Sequence, residues 1–121
     1  MIWLLLALAE PNLDAEIEAC QVTGDYRPLT LCLAERLFER ADAQLNAQWA
    51  ITYTYVKANN GRRAAQKLRE AQLGWIKKRD RECEAEAAPT PSTQQGRNFM
   101  SCMDVRTDYR TAELRAMVGK Q

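Results

Sequence analysis

The sequence predicts an all-α fold: a small disulfide-stapled helical bundle built on a long antiparallel helical hairpin, with a short N-terminal helix and a C-terminal helix. Three observations carry this expectation. Apolar residues recur at helical spacing from residue 11 onward, and no stretch alternates with the two-residue period of a strand. Asn59-Asn60-Gly61 interrupts the longest periodic stretch with residues that tolerate the left-handed conformation of a helix stop. Four cysteines (Cys20, Cys32, Cys83 and Cys102) stand in 121 residues that contain no histidine. An even set in a small chain reads as two disulfides and an oxidising compartment. Without imidazole, neither the commonest zinc sites nor a Cys-His nucleophile can be assembled, and no metal or cofactor is expected.

The chain opens with an apolar run, Ile2 to Ala9, of secretory h-region length. It ends in the small-x-small pattern Ala7-Leu8-Ala9. No base precedes the run, so residues 1–9 are read as an atypical or truncated signal peptide and residues 10–121 as a single domain. The alternative is that these residues begin a buried helix. The run is too short to span a bilayer as a mature helix.

A short first helix is capped by Asn12 or Asp14 and turns Leu13, Ile17 and Cys20 to one side. Gly24 and Asp25 signal a turn before Pro28, which suits the first turn of a long second helix. Its apolar stripe reads Leu29, Leu33, Leu37, Ala41, Leu45, Trp49, Tyr53 and Val56. The third helix follows the Asn-Asn-Gly stop at once, with Ala64 or Ala65, Leu68, Gln72, Trp75, Arg79 and Cys83 on one stripe. So short a connection forces an antiparallel hairpin, each arm about 35–40 Å long at 1.5 Å per residue. The polar stretch from Ala88 to Gly96, with Pro89 and Pro91, reads as a loop. A fourth helix from about Asn98 to Val118 is expected to bury Phe99, Met103, Leu114 and Met117.

This order places all four cysteines near the end of the hairpin opposite Gly61. Of the three possible pairings, Cys20–Cys32 with Cys83–Cys102 is preferred because both loops are local, though sequence alone leaves the others open. Reduced cysteines in a cytosolic helical protein are the competing reading.

Net charge is only +1, which gives no electrostatic case for nucleic acid as a partner. Its distribution is uneven. Residues 10–20 carry four acids and no base, whereas residues 61–81 carry eight bases against Glu70 and Asp80. Such a dipole can steer a charged partner and is also common on ordinary helical surfaces.

Little in the chain looks catalytic. There is no histidine base, no nucleophile elbow around Ser92 or Ser101, no Gly-rich phosphate loop and no Cys-x-x-Cys. Glu82 and Glu86 share a helix face, but a glycosidase pair needs a cleft as well. The densest segment is Gln72 to Cys83, where Gln72, Trp75, Arg79 and Cys83 share one face. Arg79 is expected either to pair with Glu35, Glu39 or Asp42 of the second helix or to lie along Trp75. Arg106 and Arg110 repeat the theme on the fourth helix. An inter-helix polar clamp is favoured here over a binding role.

The segment Ala71-Gln72-x-x-Trp75-Ile76-x-x-Arg79-Asp80-x-x-Cys83 resembles the signature of the bacterial lysozyme-inhibitor LprI N-terminal domain family. Cys20 and Cys32 match its paired upstream cysteines. Leu45-Asn46-x-x-Trp49 is similar to its Leu-Asn-x-x-Tyr element, with Trp in place of Tyr. Cys102 followed by Thr107-x-x-Arg110-x-x-x-Leu114 is similar to its C-terminal ending. The resemblance spans residue 20 to about 115. It implies an exported, disulfide-bonded helical domain, periplasmic or secreted, with lysozyme inhibition attached to some members. Pro89 to Gly96 departs from the family's Gly-Gly-Ser-like segment.

The leading functional expectation is a non-enzymatic envelope protein. It binds, and occludes without covalent chemistry, a protein partner such as a lysozyme or another wall-directed enzyme or toxin. Asp14, Glu16 and Glu18, together with the loop residues Pro91, Ser92 and Gln94, are the candidate contacts. A structural or accessory envelope protein is the alternative, its basic face around Arg62, Arg63, Lys67, Arg69 and Lys77 touching anionic polymers or another subunit. A hydrolase using Glu or Asp pairs is the third.

Overall fold

The computed structural model describes residues 12–22 and 28–119. The signal-peptide reading of residues 1–9 and the turn around Gly24 and Asp25 lie outside them. Four helices follow in order: α1 (Leu13–Val22), α2 (Leu29–Asn60), α3 (Arg62–Ala87) and α4 (Ser92–Met117). At 1.5 Å per residue, the 32 residues of α2 reach about 48 Å, longer than expected, and the 26 of α3 about 39 Å.

Each junction has a local cause. Asn12 caps α1, its Oδ1 accepting from the Ala15 amide at 3.2 Å. Gly61 alone joins α2 to α3. Its φ of 95° excludes ordinary side chains, its amide donates to the Lys57 carbonyl, and its own carbonyl accepts from Ala65. The chain therefore reverses within one residue.

The α3–α4 junction differs from the expected loop. α4 begins at Ser92, so Ser92, Gln94 and Gly96 are helical and only the stretch from Ala88 to Pro91 connects. Pro91, at φ −53° and ψ 140°, takes the N-cap position, where its missing amide costs nothing. The Gln95 side chain donates to the Ala88 and Thr90 carbonyls, and Thr90 Oγ1 donates to the Ala87 carbonyl. Gly96 is explained by packing: a Cβ there would lie 3.1 Å from Leu31 Cδ1.

α4 packs most extensively on α2 and also on α3, while α1 packs on α2. The register is parallel for α2 and α4, with Leu31 beside Gly96 and Thr52 beside Leu114. α3 runs antiparallel to both. The core holds few large apolar side chains. Leu45, Met103, Leu114 and several alanines are buried, but so are Thr52, Gln72, Arg79, Thr107, Arg110 and Thr111. Of the expected α4 core, Met103 and Leu114 are buried, whereas Phe99 and Met117 are only half-buried. Leu29, expected on the α2 stripe, is 43% exposed. A repeated spacing of four advances about 40° per step beyond a full turn, so the stripe winds off the contact face towards its ends.

Two disulfides join Cys20 to Cys32 and Cys83 to Cys102. This is the pairing with the shorter closed loops. The first ties α1 to the start of α2, and the second ties the end of α3 to α4.

Candidate functional site

The Gln72–Cys83 segment supplies a polar layer across the α3–α4 contact. Arg79 lies between two aromatic faces, its guanidinium carbon 5.1 Å from the Trp75 ring centroid and 5.5 Å from that of Phe38 in α2. It donates to Thr107 Oγ1 at 3.2 Å and pairs with Asp80, the next residue in its own helix, at 2.9 Å. Of the two expected arrangements, the aromatic one is observed. Arg110 donates to Gln72 Oε1 at 2.8 Å and also approaches Trp75. Arg106 bridges Glu82 at 2.7 Å and Glu86 at 2.5 Å, so these two acids form a fork-shaped ion pair between α3 and α4. Below them, Thr52 Oγ1 donates to the Leu114 carbonyl while accepting from Gln48. A layer whose polar groups are mutually satisfied fixes helix register in a way that an apolar layer does not.

Most motif residues therefore build the bundle: Leu45, Gln72, Arg79, Thr107, Arg110 and Leu114 are buried, and Trp75 is half-buried with two guanidinium groups near its ring. Asn46 and Trp49 differ. Asn46 is exposed and Trp49 half-buried at the mouth of a shallow groove between α2 and α3, about 240 Å³ in volume, which they share with Leu73 and Ile76 over a floor of Leu45 and Gln72. Leu73 is 53% exposed there. Residue spacing carries no sign of this groove, because its walls belong to two separate helices.

The candidate contact residues separate into different environments. Asp14 and Glu18 are exposed one turn apart on α1, whereas Glu16 is half-buried and paired with Arg36 of α2. Pro91, Ser92 and Gln94 are exposed at the start of α4, and Gln94 Oε1 accepts from Arg97 at 3.2 Å. The structure does not bring the α1 acids and the α4 start into one pocket.

One titratable site was not foreseen. Asp104 is half-buried in a cleft between α2 and α4 lined by Leu13, Leu37, Arg40, Gln44 and Asp108. Burial, then the charge of Asp108 and a hydrogen bond with it, pushes Asp104 up to about 6. Its pattern, two acids at i and i+4, matches ordinary surface charge, and only the packing of α1 and α2 around it desolvates it. Between pH 3.8 and 6 the unfolded chain ionises this carboxyl while the folded chain resists. Stability from Asp104 is thus fully present below pH 3.8 and lost as pH rises through 6. Asp104→Asn is expected to stabilise the fold at pH 7.5 by about 1 kcal/mol after solvent screening, with no gain at pH 3.5. Thermal melts at the two pH values check this.

The comparisons with known proteins bear on the helical core. The family model described as lysozyme inhibitor LprI matches residues 25–114. The chain belongs to the LprI lysozyme-inhibitor family. No curated protein and no solved structure matches it. The match begins after Cys20, later than the resemblance suggested, and takes in α2, α3 and α4 as far as Leu114. LprI membership makes this a lysozyme-inhibitor-like protein, with a protein such as lysozyme as the implied partner. With both disulfides, it fits an extracytoplasmic protein. No helix among the described residues is long and apolar enough to cross a membrane. α1, with Asp14, Glu16 and Glu18, lies outside the matched segment.

Proposed function

We propose that this chain is a periplasmic or secreted envelope protein that binds a wall-directed muramidase and blocks it by non-covalent occlusion. The observation that carries the reading is the LprI family match over the whole three-helix core. The side-chain chemistry of the bundle suits binding rather than turnover. Glu82 and Glu86 are engaged by Arg106.

Occlusion requires a rigid surface presented to a basic enzyme. α1 offers it: Asp14 and Glu18 project from one turn-to-turn edge, and the helix is fastened to α2 by the Cys20–Cys32 bond and by Glu16–Arg36. A pre-ordered acidic edge loses little conformational freedom on docking and steers a cationic partner at low salt. The exposed residues Pro91, Ser92 and Gln94 supply a second rigid edge, since Gln95 pins the junction that carries them.

Asp14→Ala combined with Glu18→Ala is expected to weaken binding to a basic lysozyme about 5- to 30-fold at low salt, with little difference at high salt. Glu16→Ala is expected to act differently, loosening α1 instead of removing a contact. Titration calorimetry at two ionic strengths reads both effects. Unchanged affinity in the double variant would place the contact elsewhere on the bundle.

A further inference from the structure

The outward face of α3 is a strip of unpaired positive charge. On the helix, Gln72, Arg79 and Cys83 point into the bundle, and the opposite side carries Arg63, Lys67, Gly74, Lys77, Lys78 and Arg81. All six are exposed. The acids on this side are Glu70, within the strip, and Glu84, one turn beyond Arg81. None of the five bases makes a hydrogen bond or ion pair, whereas Arg36, Arg79, Arg106 and Arg110, which face other helices, each contact a carboxylate. From Arg63 to Arg81 the strip runs about 27 Å along one straight helix.

Gly74 is the second observation. It lies in the middle of α3 at the centre of the strip, with no positive φ and nothing within 4 Å of the Cβ it lacks. Neither the turn geometry nor the packing of this chain calls for glycine there. Relative to alanine it costs about 1 kcal/mol of helix stability. What it provides is a flat place where a partner can approach the backbone between two clusters of bases.

We propose that this face is a docking rail for a linear, phosphate-bearing polyanion. The strip is narrow and long, so it fits a chain. It contains no apolar member to enter a bilayer, which disfavours a membrane surface. It contains no aromatic platform on which a sugar ring or nucleobase would stack, so charge is what it reads. Guanidinium groups at both ends match phosphate oxygens in paired hydrogen bonds, and the lysines between them act as point charges. The proposal goes beyond the muramidase reading and does not depend on it, because α1 packs on α2 and not on α3.

The test uses the full oxidised chain and fluorescently labelled linear inorganic polyphosphate, followed by anisotropy. Binding is expected at low salt, with log K falling against log salt at a slope of about −3.5 for five bases. The variant Arg63→Gln/Lys67→Gln/Lys77→Gln/Lys78→Gln/Arg81→Gln should lose at least tenfold in affinity with unchanged helical circular dichroism. Gly74→Glu should weaken binding several-fold and Gly74→Lys should strengthen it. Polyglutamate of equal charge should bind several-fold more weakly than polyphosphate. Full affinity in the five-fold variant, equal binding of polyglutamate, or binding only to phosphatidylglycerol vesicles would each overturn the proposal. None of these outcomes bears on lysozyme turnover, so failure here leaves the inhibitor reading intact.

Discussion

Removing the Cys83–Cys102 bond by the double change Cys83→Ala/Cys102→Ala is expected to cost about 3 kcal/mol. The loop it closes has a sequence separation of 19, and loops of that order restrict the unfolded chain by this amount. Cys83 is fully buried, so the lost sulfur contacts add to the entropic part. For a domain of this size the melting temperature should fall by roughly 12–20 °C. The two bonds are not equivalent. Cys20–Cys32 closes a loop of sequence separation 12 and holds α1, which packs on α2. Cys20→Ala/Cys32→Ala should therefore release α1 while the three-helix core still melts cooperatively. Melts of both double variants, read with helix content from circular dichroism, distinguish the roles. Equal losses in the two would mean that α1 is integral to the core.

Arg79→Ala is expected to destabilise by about 2–4 kcal/mol. It removes a buried cation from between Phe38 and Trp75 and takes the donor away from Thr107, which is completely buried. Arg79→Lys keeps the charge but not the planar fork, and should recover only part of the loss. Arg79→Met, which fills the same space without a charge, should cost less than alanine. Urea unfolding of the three variants gives the order. A loss below about 1 kcal/mol for alanine would show that the polar layer does not govern α3–α4 packing.

Much of this arrangement was legible in the residues. Asn59-Asn60-Gly61 marked the hairpin because a left-handed position is needed where one helix stops and the next begins at once. The face shared by Gln72, Trp75, Arg79 and Cys83 followed from spacing alone. The α4 start was misread for a physical reason. Pro89, Pro91 and Gly96 are strong breakers in isolation, yet Pro91 sits where a helix needs no amide and Gly96 sits where Leu31 leaves no room for a side chain. The burial of Thr52 and Thr107 is not readable from spacing, because the Leu114 carbonyl that Thr52 donates to and the Arg79 guanidinium that Thr107 accepts from lie on other helices. Of the candidate contacts, the tie between Glu16 and Arg36 could not be foreseen, since it depends on how α1 lies against α2. The α2–α3 groove with Asn46 and Trp49 at its mouth needed the register of two helices as well.

The most direct test of an inhibitor without chemistry is muramidase turnover on a cell-wall substrate, with the oxidised protein added over a range of concentrations. Dose-dependent inhibition is expected that saturates at one inhibitor per enzyme, reverses on dilution and weakens after reduction of the disulfides. Full turnover at a large excess of correctly oxidised protein would contradict it.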